Sequence, residues 1–393
     1  MYETLEGAFR KFYPDERYDL KWAFCPYRVC PLGAHVDHQK GAVTGFAIDK
    51  GIEIAYVPTK SKICELRSLN MEGRGIFPIR DVPDRQFDWC DHLRGATKML
   101  GKRYELKTGI RGVIYGSLPI GGLSSSAAVI ICFLSALVYA NGLKITKREM
   151  IDIALETENE YLGISVGKLD QSCEVLCEKD NLLYLDTIDD SYVNHPVNKN
   201  MKPFEIAIFF SGVARTLVGT AYNTRVDECK SAAYNVLAHS GAEYGKYKET
   251  YLRNVDFETY EKFKHLLPVN FRKRADHYYN EQRRVQDGIK AWNDGDIEKF
   301  GKLIFESGES SIELYETGSP ELKKLYDIMK ETEGIYGGRF SGAGFKGCCM
   351  AIIDPRYKES IEREVTQRYL KAFPELKDTF SVHFCTTGNG VEF

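Results

Sequence analysis

Leu118-Pro-Ile-Gly-Gly-Leu-Ser-Ser-Ser-Ala-Ala128 joins a strand-like segment, 109–116, to an apolar stretch, 123–140, that Asn141-Gly142 closes. A strand, a Gly-Gly turn and a helix with three serines in its first turn make an anion site. Glycines let the backbone approach a phosphate, unpaired N–H groups point outward, and the helix end adds positive potential. No Gly-Lys-Ser/Thr follows, so this is not the usual P-loop. Standing alone, the segment reads equally well as a Gly-Ser turn capping a core helix.

Outward from it, Thr146-Lys-Arg-Glu149 is a capping box opening a helix expected to reach residue 163. At roughly 100° per residue, Ile151, Ala154, Leu155, Glu158, Tyr161 and Leu162 share one apolar stripe, with Glu156 and Glu160 opposite. A carboxylate on a buried stripe needs a partner. For Glu158 that partner is either an Arg or Lys, or a hard cation such as Mg²⁺. Asp170, in Gly167-Lys-Leu-Asp-Gln-Ser172, falls in the opening turn of a short helix, held ionised by the helix end and by Lys168 if that side chain turns toward it. It is placed to act as a base or positioner toward a hydroxyl, or is an ordinary N-terminal helix aspartate.

Before these segments, residues 22–29 read as a strand, and 51–58 with 63–69 as a β-ribbon turning at 59–62. After them come strands at 181–186 and 204–212, separated by a polar stretch, 191–202, that reads as a linker. Charged helices at about 226–237 and 271–292, a glycine-rich patch at 334–347, a strand at 348–353, a helix and a closing strand at 380–385 complete the chain. The sum is an α+β, two-domain protein, 1–195 and 196–393, as 393 residues suggest at about 150 per domain.

The 53 Lys+Arg against 56 Asp+Glu give a net charge of −3, which carries no footprint for nucleic acid. The N-terminus is charged throughout and no apolar stretch approaches the roughly 20 residues of a bilayer span, so no membrane association and a cytoplasmic location are expected. The 11 cysteines are scattered without a CxxC pair and the eight histidines do not cluster, which reads as buried thiols rather than disulfides or a zinc site.

Three stretches together, Pro26-Tyr-Arg-Val-Cys-Pro-Leu-Gly-Ala-His-Val-Asp-His38, Gly121-Gly-Leu-Ser-Ser-Ser126 and Phe340-Ser-Gly-Ala-Gly-Phe-Lys-Gly-Cys348, resemble in order and spacing the three motifs of the GHMP (galacto-, homoserine, mevalonate, phosphomevalonate) kinases. The first places the chain near the sugar kinases of the galactokinase branch, and within it near the kinases of galacturonate. The resemblance implies a ribosomal-S5-like N-terminal domain, a ferredoxin-like C-terminal domain and a site between them. It implies ATP as phosphoryl donor, with Mg²⁺, and a small-molecule sugar or sugar acid as acceptor. Pro119, Gly121, Gly122, Leu123, Ser124, Ser125 and Ser126 would cradle the ATP phosphates, with Trp89 on the nucleotide side. Ser126 and Glu158 would hold Mg²⁺. Asp170 would take or orient the proton of the anomeric hydroxyl, steadied by Arg28. His35, Asp37 and Tyr222 would bind sugar hydroxyls, and the turn at 341–347 would shape the floor.

One departure bears on the substrate. Galactokinases carry, at the position of Ala34, a glutamate that contacts the C6 hydroxyl. A uronic acid has a carboxylate at C6, and two like charges ~4 Å apart repel by about 4 kcal/mol at an effective dielectric near 20. Alanine removes that obstacle, and a nearby cation, Arg215 first and Lys168 second, is expected to attract the carboxylate. Galactose and L-arabinose, which lacks C6, remain alternative substrates. A non-catalytic protein that senses sugar and ATP is the alternative of another class, against which stands the complete set Arg28, Ser126, Glu158 and Asp170.

Overall fold

Apolar strand segments gather into two sheets, with helices covering their faces. The computed structural model describes residues 5–14, 19–213, 222–243 and 245–393. The first half runs α1 (Leu5–Phe12), β1 (Lys21–Val29), β2 (Ala42–Thr59), β3 (Ile63–Ser68), β4 (Arg74–Pro78), α2 (Asp91–Gly101), β5 (Gly109–Gly116), α3 (Ser125–Ala140), α4 (Lys147–Glu156), α5 (Leu169–Leu176), β6 (Asn181–Asp186) and β7 (Ser191–Pro196). The second runs β8 (Glu205–Phe210), α6 (Tyr222–Ser240), α7 (Phe257–Phe263), α8 (Val269–Asp294), α9 (Ile297–Glu313), α10 (Pro320–Glu331), β9 (Ile335–Phe340), β10 (Cys348–Ile353), α11 (Lys358–Ala372), β11 (Ser381–Cys385) and β12 (Thr387–Gly388).

The long β2 is the hub of an eight-stranded sheet ordered β4-β3-β5-β2-β6-β7, with β1 and β12 also paired to β2. The expected ribbon of β2 and β3 does not form. Both strands exist, but β5 enters between them, parallel to β3 and antiparallel to β2. A short turn cannot tell a hairpin from a pair that admits a third strand. Gly109 permits the insertion, since a Cβ there would lie 2.1 Å from the Ile63 carbonyl oxygen. The stretch expected as a linker is in part β7, paired antiparallel with β6. The chain then crosses to a second, four-stranded antiparallel sheet, β11-β8-β10-β9, and returns for β12. This α+β pairing of two sheets, each backed by helices, is the expected fold class.

α3 is apolar all round, as a helix must be when it crosses the core. From Ala127 to Val138 only Val129 escapes full burial, and the helix packs between β1, β2 and α2. Thr146 and Glu149 form the expected reciprocal cap. The helix they open does not stay α to residue 163: α4 ends at Glu156, and Thr157–Tyr161 widen into a π-turn, a device that recurs at functional sites. All 11 cysteines are buried thiols. Among the described residues no helix is long and apolar enough to cross a membrane.

Candidate active site

Residues 30–41, between β1 and β2, carry the first motif on a loop bent by three left-handed residues, Gly33 (φ 97°), His35 (φ 58°) and Lys40 (φ 62°). Gly33 is obligatory, because a Cβ there would lie 2.5 Å from the Cα of Val43. His35 holds a conformation that ordinarily costs about 1–3 kcal/mol because its surroundings fix it. The amides of Gly33 and Ala34 donate to Glu281 Oε1 (2.8 and 3.1 Å), and the Ala34 carbonyl accepts from His277 Nε2 (2.9 Å). The His35 ring stacks on Tyr315 at 4.3 Å, with the planes 3° apart. Burial, then the charge of Arg339, pushes the His35 pKa well below its ordinary value. The ring is therefore neutral, and its buried Nε2 has no hydrogen-bond partner among the described residues.

This loop forms one wall of an open cleft. Ala34, His35 and Asp37 line it together with Arg28, Gly122, Ser124, Ser126, Glu158, Asp170 and Tyr222. Nine of the residues expected from the motifs, besides Ala34 itself, thus converge on one opening. Arg28 reaches it because the β1–β2 register shifts between Pro26 and Arg28, where proline cannot donate to the ladder. Its Nε and Nη2 contact Asp170 Oδ1 at 2.8 and 2.7 Å, and Nη1 donates to the Gly122 carbonyl at 3.0 Å. Burial opposes the guanidinium charge, and Asp170 more than offsets it, so the Arg28 pKa rises. One arginine therefore ties the Gly-Gly turn to the proposed base. Asp37 stands beside this pair. Burial first and the Asp170 charge second push its pKa up to about 6. It fits only because residue 167 is glycine, where a Cβ would lie 2.2 Å from Asp37 Oδ2.

The second motif opens α3 with Ser124 in the left-handed region and no side chain capping the first turn. The buried Ser124 hydroxyl has no hydrogen-bond partner among the described residues. Free amides and an unused hydroxyl at a cleft wall fit a phosphate. Gly121, Leu123 and Ser125 stand behind the cleft surface: Gly121 packs on Gly347, and the Leu123 carbonyl accepts from the Arg28 amide at 3.4 Å. Pro119 is exposed. Trp89 does not join the others; its indole N–H donates to the Glu72 carbonyl at 3.1 Å. The third motif closes on the second, the Ser341 hydroxyl donating to the Gly122 carbonyl at 2.6 Å.

Glu158 is 2% exposed, on the π-turn. Ser126 Oγ donates to its Oε1 at 2.8 Å, and Gln171 Nε2 donates to Oε2. Glu156 and Glu160 turn outward to Arg103 and Lys102, as the helical stripe predicts. A carboxylate and a hydroxyl meeting at the cleft wall are a donor set that suits Mg²⁺, which completes its shell with phosphate oxygens and water. Among the described residues no three His, Cys, Asp or Glu gather to hold a metal unaided. Lys168, the expected companion of Asp170 and second candidate for the C6 cation, serves neither role. It pairs with Asp190 (2.8 Å) and Asp152 (3.4 Å), outside the cleft lining. Arg215 lies outside the described residues.

Residues 91–178 match the GHMP kinases N terminal domain, and residues 287–372 the GHMP kinases C terminal domain. A galacturonokinase of Arabidopsis thaliana is 39% identical over 98% of this chain and 96% of its own length. The chain belongs to the GHMP kinases. Within the family, a galactokinase of Clostridium perfringens is 32% identical over 98% of both chains. The crystal structure of Lactococcus lactis galactokinase complexed with galactose superposes with a TM-score of 0.89, at 26% identity, over 99% of this chain and all of that one. A kinase of this family takes its phosphoryl group from ATP.

The GHMP motifs do not include α8, which holds the 30–41 loop from behind the cleft lining through Glu281 and His277. Arg274, His277, Glu281 and Arg284 are buried on it, alongside Tyr278, Val285, Gly288 and Trp292. Charged residues alternating with apolar ones at spacings of three and four are the same signal that singled out Glu158. Applied to 271–292, it separates a buried charged stripe from a solvated one. Arg339, on β9 one residue before the third motif, also lines the cleft.

Proposed function

We propose that the protein transfers the γ-phosphoryl group of ATP to the C1 hydroxyl of D-galacturonate, giving galacturonate 1-phosphate without a phosphoenzyme. The observation that carries the substrate is Ala34, lining the cleft between Gly33 and His35 where a galactokinase would present a carboxylate. Its likeness to the Arabidopsis enzyme supports the same reading.

The geometry supports the following roles. The open first turn of α3 and the Ser124 hydroxyl receive phosphate oxygens. Ser126 and Glu158 would hold Mg²⁺, which would supply positive charge to offset that of the phosphates. Asp170 accepts or orients the C1 hydroxyl proton, and Arg28, bonded to Asp170 and to the Gly122 carbonyl, keeps the sugar side and the phosphate side in register. Asp37, His35 Nε2 and Tyr222 bind ring hydroxyls. Phosphoryl transfer passes through a loose transition state, so positioning and charge neutralisation outweigh base strength. A coupled ADP-release assay with galacturonate, galactose, glucuronate and L-arabinose tests the reading. Galacturonate is expected to give the highest kcat/KM. A preference for galactose overturns the substrate, and tight sugar binding without turnover on any of the four overturns the activity.

A further inference from the structure

We infer that Arg339 is the specificity-determining residue that receives the C6 carboxylate; this rests on the galacturonate reading above. Arg339 is 1% exposed, yet it lines the cleft. Its Nε donates to the Phe340 carbonyl at 3.1 Å, its Nη1 to the Ser307 hydroxyl at 3.0 Å, and its Nη2 reaches the Ser311 hydroxyl at 3.4 Å. All three acceptors are neutral. The carboxylate facing it, Glu281, stands 4.0 Å away and is committed elsewhere. It accepts from the Gly33 and Ala34 amides, from the Ser307 hydroxyl at 2.6 Å and from Arg284 Nε at 2.8 Å. Among the described residues the cluster therefore holds two guanidinium groups against one carboxylate. Arg284 Nη2 is buried without a hydrogen-bond partner. His35 and His277 beside the cluster are neutral, their pKa values lowered by burial.

This surplus positive charge lies one hydrogen-bond link from Ala34, through Glu281. At the other side of the sugar loop the balance is reversed, because Arg28 faces both Asp170 and Asp37. The cleft is polarised along the sugar. A uronate set with its C1 hydroxyl at Asp170 turns its carboxylate away from two aspartates and toward Arg339. A buried, under-neutralised guanidinium with a loosely held Nη2 is suited to a carboxylate, which takes two parallel N–H donors. The negative charge that galactokinases carry at position 34 is here brought by the substrate.

The test compares D-galacturonate with D-galacturonamide, which has nearly the same shape and no charge, as acceptors for the same enzyme. Hydrogen bonds to charged groups lead to an expected preference for the acid of about 10- to 100-fold in kcat/KM for the native chain. Arg339→Gln brings that ratio close to one, whatever it does to absolute turnover, and Arg339→Lys restores part of it. A native ratio near one overturns the inference with no variant needed, which covers the case of a glutamine variant that does not fold. An unchanged ratio in Arg339→Gln or in Arg339→Ala, with both acceptors losing equally, assigns Arg339 a structural role and also overturns it. Failure of the native enzyme to phosphorylate galacturonate at all overturns the function instead, so the two failures are distinguishable.

Discussion

Ala34→Glu restores the carboxylate of a galactokinase to this cleft, and its cost can be worked from the site. The backbone of residue 34 is pinned from both sides, its amide to Glu281 Oε1 and its carbonyl to His277 Nε2, so the substitution leaves the loop in place. Ala34 is 5% exposed and lines the cleft, so a longer side chain there extends toward the sugar. A carboxylate about 4 Å from the C6 carboxylate of galacturonate, at an effective dielectric near 20, repels it by about 4 kcal/mol, or roughly a thousandfold in kcat/KM. The new group also competes for Arg339, so the thousandfold loss is a lower bound. Galactose meets no such repulsion and gains a hydrogen-bond acceptor at C6. The assay is steady-state ADP release with galacturonate and galactose, run on Ala34→Glu beside Ala34→Gln. Glutamine has nearly the same volume and no charge, so it measures crowding alone, expected at about tenfold or less, near 1.4 kcal/mol. The KM for ATP serves as the control on folding. If Ala34→Glu loses no more galacturonate activity than Ala34→Gln, charge at position 34 does not choose the sugar and the argument fails.

Three further outcomes are expected. Asp170→Asn lowers kcat by about 10²- to 10⁴-fold while leaving the KM for ATP within a few-fold, and near-normal turnover removes Asp170 from its role. Asp37, raised to about 6 by burial and by Asp170, is protonated below that pH and then no longer offers two acceptor oxygens, so kcat/KM for the sugar falls as pH drops through about 6; Asp37→Asn abolishes that inflection, and a pH profile of unchanged shape in the variant counts against it. Glu174 on α5 is buried, neither carboxyl oxygen has a partner among the described residues, and burial, then the Asp170 charge, pushes its pKa well up. The folded state therefore holds a proton that the unfolded state releases above its ordinary carboxyl range, so stability declines as pH rises. Glu174→Gln raises Tm at pH 8 by the equivalent of about 1–3 kcal/mol and changes it much less at pH 5, and equal shifts at the two pH values refute an ionisation origin.

The residues that lie close together in sequence were the legible ones. Gly121 to Ser126, Glu158 and Asp170 announce themselves because one turn or one helical stripe contains the whole signal, and the structure brings Ser126, Glu158 and Asp170 to one cleft. The order of strands was not legible, because pairing β5 between β2 and β3 is decided by contacts some fifty residues apart that leave no local mark beyond the glycines. Nor did composition announce the buried charges of α8: a helix carrying Arg272, Lys273, Arg274, Asp276, Glu281, Arg283 and Arg284 looks solvated until its residues are sorted by face. Lys168 failed as a partner for Asp170 for a related reason. Residues two apart at a helix start put their side chains roughly 200° apart, and Lys168 turns to Asp152 and Asp190 instead.

The same geometry separates what the cleft does from what it accepts. The groups proposed for chemistry, Arg28, Ser126, Glu158 and Asp170, sit on β1, on α3 and α5, which pack on the first sheet, and on the π-turn, which packs on α2 and α4. The groups that hold the sugar loop, His277 and Glu281, come from α8, and they grip it by the backbone of Gly33 and Ala34 rather than by side chains. A loop held by its amides and carbonyl keeps its shape whichever side chain residue 34 bears. Burial opposes the charge on Glu281, and Arg284 foremost overcomes it, holding the carboxyl down at about 2. The support therefore stays ionised at neutral pH without help from a ligand. The charge at C6 can then be exchanged between protein and substrate without moving Asp170 or the phosphate turn. This is why a net charge of −3 for the whole chain gives no guide to an anionic substrate, whereas one missing carboxylate beside an under-neutralised arginine does.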